Sequence, residues 1–429
     1  MEKESILYAE RAHVIRPAGN GGYTAVYEQM TDSFKERYLK ALAESHELYD
    51  TADFDGDDLL SKNHFEIYTS ESETVYFSYH SHNGRAYVTY MPQKEGWVLP
   101  PCKPAAFERV GEAYPTIMTD VGTERCHPTE CANCQIVRVA DGSFVIIDSA
   151  YGDGAETLIY DILKKQAPDP EHIVIAAWVF THAHWDHVGG FCYFVDKFAG
   201  KGDVELRQVV CNFPDDSVLN DCDKNLQQRT LDAAKRFNEN VTFVKAHTGE
   251  TLYYADVKLR FLYTQEEELA VNEFLGYYNA TSCVFRLETE DGVTYLCGGD
   301  HMVCGQVGKV LGGEGALYRW YGSFIRSDII GAFHHGLGGG ADTLIYHFVQ
   351  PKLVLWPVSW NRIYNDGTGK PYVTSLDKYP TNLYFTDPEN AKKHNVEYFV
   401  SGDAIHVLHF KDGAYSITIY ETADEYLNS

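Results

Sequence analysis

The segment FTHAHWDHVGG at residues 180–190 constrains this chain more than any other feature of its sequence. It follows the apolar run IVIAAWVF, which we predict to be a buried strand. His182 and His184 are two residues apart, so on an extended backbone their side chains point the same way. Asp186 and His187 follow in a predicted turn, and Gly189-Gly190 are predicted to bend the backbone before a helix.

Metal-capable side chains crowded at the end of a strand suit a pair of adjacent divalent cations. Zinc accepts nitrogen and oxygen ligands of this kind, and manganese and iron also do. The alternative is a polar loop that happens to be rich in histidine. It is disfavoured because only 18 of the 429 residues are histidines. We therefore predict two divalent metal ions, with zinc as the first choice.

The chain after residue 116 alternates paired strands with helices, which favours two mixed sheets with helices packed outside them. Before that point, a polar helix is predicted over 30–50 and a hairpin around Asn83-Gly84. A proline-rich stretch then resembles a linker. We predict a small N-terminal α+β domain at 1–115, acting as a cap or a dimerisation unit, and a catalytic domain at 116–429.

Charge and hydropathy narrow the range of partners. The formal net charge is −26, which opposes non-specific binding to the phosphate backbone of long DNA or RNA. The first residues, MEKESILYAERAH, lack the apolar core of a secretion signal. The longest apolar run, at 173–180, is too short to span a bilayer. We expect a cytoplasmic protein that acts on a small-molecule substrate, with neither membranes nor long nucleic acids as partners and with a homodimer possible.

The spacing His-x-His-x-Asp-His at 182–187 resembles the signature of the metallo-β-lactamase superfamily, including the two glycines that follow it. Three further points over 116–429 match in order: FVIID ending at Asp148, CGGD ending at Asp300, and FHHG with His334 and His335. The resemblance implies an α+β fold, an αββα sandwich, with a dinuclear metal site at the strand ends and a hydroxide between the ions. It also implies that Asp186 is catalytic and hydrogen-bonds the attacking hydroxide. The ligands that it implies are His182 and His184 for metal one, Asp186, His187 and either His334 or His335 for metal two, and Asp300 bridging both.

The chain departs from the family pattern at metal one. Family hydrolases usually supply a third histidine from the region before the bridging aspartate, but residues 248–300 contain none. Asn279 stands near the expected place, and His247 is the alternative, although a loop or outer position suits it better. We therefore expect weaker binding at metal one. The start of the strand at Asn279 and the HHG loop together resemble the branch of phosphorylcholine esterases and competence-type DNA-uptake domains.

The predicted function is metal-dependent hydrolysis of esters, with phosphodiesters or phosphocholine-like esters as the leading substrates. The same site suits a carboxylic ester, lactone or lactam, and a non-catalytic metal-binding module is a further alternative. An oxidoreductase with iron is disfavoured, since the chain lacks a flavin domain and has Ala183 where an extra acidic ligand is needed. The pocket walls are predicted in the loops at 212–225, 265–278 and 358–382.

Overall fold

A computed structural model gives the fold, which rests on three β-sheets in the part of the chain that it describes. The described residues are 6–101, 113–122, 131–219, 225–269, 278–301, 313–336, 343–359, 397–400, 402 and 404–429. None of the helices within these ranges is long and apolar enough to cross a lipid bilayer.

The sheet nearest the N-terminus has six antiparallel strands in the order β1-β2-β6-β5-β4-β3. Its elements are β1 Val14–Gly19, β2 Gly22–Tyr27, α1 Asp32–Ala43, β3 Glu47–Asp53, β4 Asn63–Thr69, β5 Glu73–His80 and β6 Arg85–Pro92. Helix α1 begins after Thr31, whose side chain accepts a hydrogen bond from the backbone N–H of Phe34, as an N-cap does. The helix predicted over 30–50 therefore ends at residue 43, and 47–53 form a strand instead.

Two further sheets pack face to face. The first has nine strands, in the order β13-β12-β10-β9-β8-β7-β21-β22 with β11 beside β10. Its strands are β7 Ile117–Asp120, β8 Cys134–Arg138, β9 Phe144–Asp148, β10 Ile173–Val179, β11 Val204–Leu206, β12 Gln208–Cys211, β13 Thr242–Lys245, β21 Ile405–Lys411 and β22 Ala414–Tyr420. The second has seven strands in the order β14 to β20. They are β14 Thr251–Tyr254, β15 Val257–Tyr263, β16 Val284–Thr289, β17 Thr294–Cys297, β18 Ile329–Gly331, β19 Leu353–Trp356 and β20 Glu397–Val400.

Helices cover the outer face of each of these two sheets. They are α2 Ala155–Gln166, α3 Trp185–Phe198, α4 Asn225–Phe237, α6 Gly313–Tyr321, α7 Thr343–Val349 and α8 Ala423–Asn428. The short helix α5 Gln265–Leu269 is buried and contacts β1 and β6 of the N-terminal sheet. Along β9, Val145 and Ile147 point into a core that holds residues of both sheets, whereas Ile146 points into the core beneath α2 and α3. This alternation is what a strand buried on both faces requires. The predicted αββα sandwich is confirmed.

The predicted hairpin forms at its turn residues, and two further hairpins turn at comparable short sequences. Asn83-Gly84 lies between β5 and β6, with Gly84 at a φ of 61°, a conformation that glycine adopts without strain. The turns at Ala255-Asp256 and Asp291-Gly292 join β14 to β15 and β16 to β17, again as antiparallel pairs. Short-range turn chemistry was therefore a sound guide to the strand pairs.

Polar contacts join the N-terminal sheet to the sandwich. The Gln265 side-chain amide donates to the Ala18 carbonyl at 3.0 Å, and the Asn63 amide donates to the Trp320 carbonyl at 2.7 Å. The His247 ring stacks on the Tyr76 ring, with centroids 3.9 Å apart. Whether residues 1–115 form a domain of their own, with the role of a cap or a dimerisation unit, stays a prediction.

Buried carboxyl groups in this contact region predict a pH dependence of stability. Burial, together with the neighbouring Glu266, raises the pKa of Glu267 to about 8. The folded protein therefore holds a proton that the unfolded chain has already lost, so the free energy of unfolding falls as pH rises from about 4.5 to about 8. Glutamine does not titrate, so Glu267→Gln removes this difference in protonation between the folded and the unfolded protein.

We expect the loss of stability between pH 5 and pH 8 to shrink by more than about 1 kcal/mol in Glu267→Gln. Urea unfolding at the two pH values measures it, with the exposed Glu71→Gln as the matched control. An equal loss of stability in wild type and Glu267→Gln would show that Glu267 is ionised in the folded protein.

Candidate metal centre

Three strands of the sandwich end close together, and each leads into one part of a polar cluster. Strand β10 leads into His182 and His184, β17 into Asp300, and β18 into the pair His334-His335. Strands β17 and β18 are parallel, so their carboxyl ends lie at the same edge of the second sheet. The packing of the two sheets brings this edge to the end of β10.

Helix α3 places the next two ligand-type side chains. The helix begins at Trp185 with His184 at its N-cap position, so Asp186 and His187 lie in the first helical turn. The prediction that these two residues lie in a turn ahead of the helix is wrong. Their positions are set by a helix that packs on the first sheet, which holds them more firmly than a loop does.

The two glycines after this segment serve packing and do not bend the chain. Gly189 and Gly190 lie inside α3, which corrects the predicted bend. A Cβ atom would lie 2.1 Å from the Tyr151 carbonyl oxygen at Gly189 and 1.8 Å from the Ser149 carbonyl oxygen at Gly190. Without side chains here, the first turns of α3 can lie directly against the loop that follows β9.

Ligand-type atoms of the described residues form two groups that share one residue. One ligand atom from each member of the first group lies within 4.8 Å of the others; the members are Asp186, His187, Asp300 and His335. The same limit holds for the second group, His182, His184 and Asp300. Imidazole nitrogens and carboxylate oxygens are donors that zinc, manganese and iron accept. The residues therefore fit the two predicted divalent ions.

Two histidines of the larger group have their tautomers set by hydrogen bonds. His187 Nδ1 lies 2.7 Å from Asp148 Oδ2, and His335 Nδ1 lies 2.8 Å from the Pro357 carbonyl oxygen. Because each Nδ1 faces an oxygen acceptor, Nδ1 is the donor, and Nε2 is the nitrogen that can bind a metal once its proton is displaced. The two Nε2 atoms are 3.3 Å apart. This is the usual arrangement of metal-binding histidines, in which an outer partner fixes the ring.

Asp148 is the residue that orients His187. Its carboxylate also accepts hydrogen bonds from the Thr181 backbone N–H at 2.8 Å, the Thr181 hydroxyl at 2.8 Å and the Asn133 amide at 2.8 Å. Its φ of 54° is uncommon for a residue with a side chain. Sequence reasoning gave Asp148 no function and missed Asn133 and Thr181. An aspartate closing a buried strand was the available signal.

Asp148→Asn is expected to weaken zinc binding at the group that contains His187 by about 10–100-fold. The introduced amide can turn a donor towards His187 Nδ1, which then no longer donates, so the ring loses its orientation. Calorimetric titration of the metal-free protein measures the affinity, with the exposed Asp153→Asn as a control in the same loop. Unchanged affinity in Asp148→Asn would show that His187 is held by its packing alone.

Opposite charges compensate each other in this buried group. Burial lowers the pKa of His187, but the carboxylates of Asp300 and Asp148 outweigh burial and raise that pKa to about 10. Burial raises the pKa of Asp300, but His335 and His187 outweigh it and hold that pKa well below its ordinary value. Ionised carboxylates thus stand beside imidazoles, and a divalent cation that binds there displaces protons.

The smaller group is built around the two histidines after β10. His182 Nε2 lies 3.1 Å from His184 Nδ1 and 3.8 Å from Asp300 Oδ2. His182 Nδ1 is 3.2 Å from the Thr181 hydroxyl oxygen. The His184 ring packs edge-on against Tyr278, with centroids 5.5 Å apart. The two histidines therefore present neighbouring nitrogens to one side of Asp300.

The two candidates for the missing ligand of metal one lie in different places. The Asn279 amide nitrogen is 3.2 Å from His334 Nε2, which puts this side chain at the edge of the site. His247 Nδ1 lies 3.1 Å from Glu266 Oε1, and its ring stacks on Tyr76. His247 thus belongs to the contact between the N-terminal sheet and the sandwich.

The predicted pocket walls are described only in part. Residues 212–219, 265–269 and 358–359 of these loops are placed, and the rest of 212–225, 265–278 and 358–382 lies outside the described residues. Just before the last loop, Trp356 donates a hydrogen bond from its ring nitrogen to the His335 carbonyl oxygen. This contact holds the loop that carries His334 and His335.

A family model described as the metallo-beta-lactamase superfamily matches residues 132–205, which include His182, His184, Asp186 and His187. No curated protein matches the chain. The chain is similar to CmlA, a diiron beta-hydroxylase from Streptomyces venezuelae, at 12% identity and a TM-score of 0.39, over 71% of this chain and 55% of that one. It thus spans about half the length of CmlA.

Two other solved structures are similar at low identity. One is a HARLDQ motif mutant of a metallo-beta-lactamase from Cronobacter sakazakii, at 14% identity and a TM-score of 0.28, over 52% of this chain and 76% of that one. The other is a long form RNase Z from yeast, at 10% identity and a TM-score of 0.33, over 76% of this chain and 54% of that one.

The αββα sandwich and the match over 132–205 agree with the predicted resemblance to the metallo-β-lactamase superfamily. The chain carries two candidate metal groups that share an aspartate. The narrower resemblance to phosphorylcholine esterases and competence-type domains stays a prediction.

Proposed function

We propose that this chain is a metal-dependent hydrolase of esters, with phosphodiesters or phosphocholine-like esters as its substrate class and zinc as its first-choice metal. The observation that carries the proposal is the position of Asp300 in both candidate metal groups. Two divalent ions, when bound, would lower the pKa of a water molecule, orient the substrate and stabilise the negative charge that develops during attack.

The two carboxylates of the site differ in their exposure to solvent, and this difference suggests different roles. The Asp300 side chain is 3% exposed and the Asp186 side chain 21%, so Asp186 is the carboxylate nearer the open side of the site. Its Oδ2 lies 3.2 Å from His335 Nε2 and 3.9 Å from His187 Nε2. Asp186 is therefore the carboxylate best placed to accept a proton from an attacking water. His187 and His335, oriented from behind, hold the geometry of the group.

A phosphoester suits two groups joined by one carboxylate. Two cations a few ångströms apart can act on the attacking and the leaving oxygen of an in-line displacement at once. The net charge of −26 does not oppose a small anionic ester, because divalent ions, when bound at the site, would outweigh the distant surface charge. It does oppose long nucleic acid, so the proposed substrate is a small molecule.

A substrate panel tests the proposal on the zinc-loaded protein. Bis(p-nitrophenyl) phosphate and p-nitrophenyl phosphorylcholine represent the proposed class. p-Nitrophenyl butyrate, a chromogenic lactone and a chromogenic β-lactam represent the carbonyl esters and amides that the same residues could serve. We expect the highest kcat/KM on one of the two phosphodiesters and little activity in an Asp300→Asn variant, which loses the shared carboxylate.

Preference for a carbonyl substrate would keep the hydrolase and overturn the phosphodiester assignment. A protein that binds two zinc ions and hydrolyses none of the panel would point instead to the non-catalytic metal-binding module. Unchanged activity in Asp300→Asn would contradict the proposal that these two groups form the active site.

A further inference from the structure

The two oxygens of Asp300 face different pairs of histidines. Oδ1 lies 3.1 Å from His187 Nε2 and 3.2 Å from His335 Nε2. Oδ2 lies 3.8 Å from His182 Nε2 and 3.9 Å from His334 Nε2. Donor atoms on one four-coordinate zinc ion stand about 3.3 Å apart, so both pairs lie near the spacing of shared ligands. His334 thus faces Oδ2, at a longer distance than that between His335 and Oδ1.

The two groups differ in how complete they are. The larger one has two imidazoles and two carboxylates, which is a full set for a four-coordinate ion. The smaller one has His182, His184 and the shared Asp300, and so is one donor short of four. A fourth donor can be a water molecule or a further side chain. His334 lies outside the smaller group, but its Nε2 atom faces the same Asp300 oxygen, Oδ2, at 3.9 Å.

We infer that His334 is the missing imidazole of metal one, so that the adjacent His334 and His335 serve one metal each. The inference rests on the proposed function, since it assumes that both groups bind metal. The sequence had suggested that either His334 or His335 binds metal two. In this inference His335 binds metal two and His334 binds metal one.

The backbone of the HHG loop supports this division. His334 has φ 49° and ψ 44°, and His335 has φ 53° and ψ 23°, so two successive residues with side chains are left-handed. Such residues are costly and persist where surrounding contacts enforce them. Here the His334 N–H donates to the Gly299 carbonyl at 2.9 Å, and Pro357 holds the His335 ring. This conformation presents two neighbouring rings to the two oxygens of one carboxylate.

Asn279 is the alternative candidate for the additional ligand of metal one, but its side chain contacts His334. Its amide nitrogen lies 3.2 Å from His334 Nε2, the same nitrogen that faces Asp300. A neutral amide is a weaker zinc ligand than an imidazole. In this arrangement Asn279 touches the proposed ligand, so its loss should leave metal one intact. If Asn279 were itself the ligand, its loss should weaken metal one.

Zinc titration of the metal-free protein distinguishes these roles. Metal content after dialysis gives the number of ions, and calorimetry gives the two affinities. The variants are His334→Gly, His335→Gly, Asn279→Ala and, as a matched control, His172→Ala at a side chain that is 63% exposed. Glycine suits the positive φ of His334 and His335, so these changes remove a ring without adding backbone strain.

We expect wild type and His172→Ala to bind two zinc ions with unequal affinities. His334→Gly should lose at least tenfold in affinity at the weaker site and keep the tighter one. His335→Gly should lose the tighter site, and Asn279→Ala should keep both. Should His334→Gly fail to fold by circular dichroism, His334→Asn serves in its place, because asparagine also tolerates this backbone conformation.

Wild-type affinities in folded His334→Gly would overturn the inference, even if its activity were lost, and would mean that His334 faces the substrate. Loss of the weaker site in Asn279→Ala but not in His334→Gly would overturn it in favour of Asn279. A wild type that binds no zinc would instead refute the proposed function, which keeps the two failures distinguishable.

Discussion

Removal of divalent metal is expected to abolish hydrolysis, with a loss of about 10³-fold or more in kcat/KM. Bound cations contribute several kcal/mol to charge stabilisation in such sites, and each 1.4 kcal/mol corresponds to a factor of ten. The described side chains that could bind a metal around Asp300 are imidazoles and carboxylates. Removal of the ions would take away the activated water and the charge stabilisation that they would supply when bound.

The experiment is dialysis against a strong chelator, followed by assay before and after addition of zinc, manganese or iron. Circular dichroism of the dialysed protein controls for unfolding. Zinc is expected to restore activity, and the ion that restores most identifies the working metal. Full turnover by a rigorously metal-free sample would end the hydrolase mechanism proposed for this site.

Asp186→Asn is expected to lower kcat by about 10²-fold or more and to change KM little. The substitution keeps the size of the side chain but removes the charge that lies 3.2 Å from His335 Nε2. It also removes the proton acceptor nearest the open side of the site. Since substrate is bound mainly by other groups, rate should suffer more than affinity.

Assays at saturating zinc hold metal occupancy constant, and metal content is measured in the same samples. Asp196→Asn, an exposed carboxylate in the same helix α3, is the matched control and should turn over normally. A variant with normal kcat and a raised KM would assign Asp186 to substrate binding instead.

Local sequence patterns anticipated the elements well where neighbouring residues decide the conformation. The hairpin at Asn83-Gly84 and the alternation of paired strands with helices are of this kind. The start of α3 was missed because Gly189 and Gly190 resemble a helix breaker in sequence. They are tolerated inside the helix because carbonyl oxygens of a loop that is distant in sequence approach them closely.

For the site, the order of residues already reveals which donor types are present and which of them are neighbours along the chain. His182, His184, Asp186 and His187 follow from the end of one strand and the first turn of one helix, so short-range geometry places them together. The other positions depend on how the two sheets pack together. Packing of the second sheet places Asp300 where it belongs to both candidate metal groups. His247 contacts Glu266 and is not a member of either group. The division of His334 and His335 between the two oxygens of Asp300 depends on a left-handed loop held by distant residues, a long-range effect that no local pattern encodes.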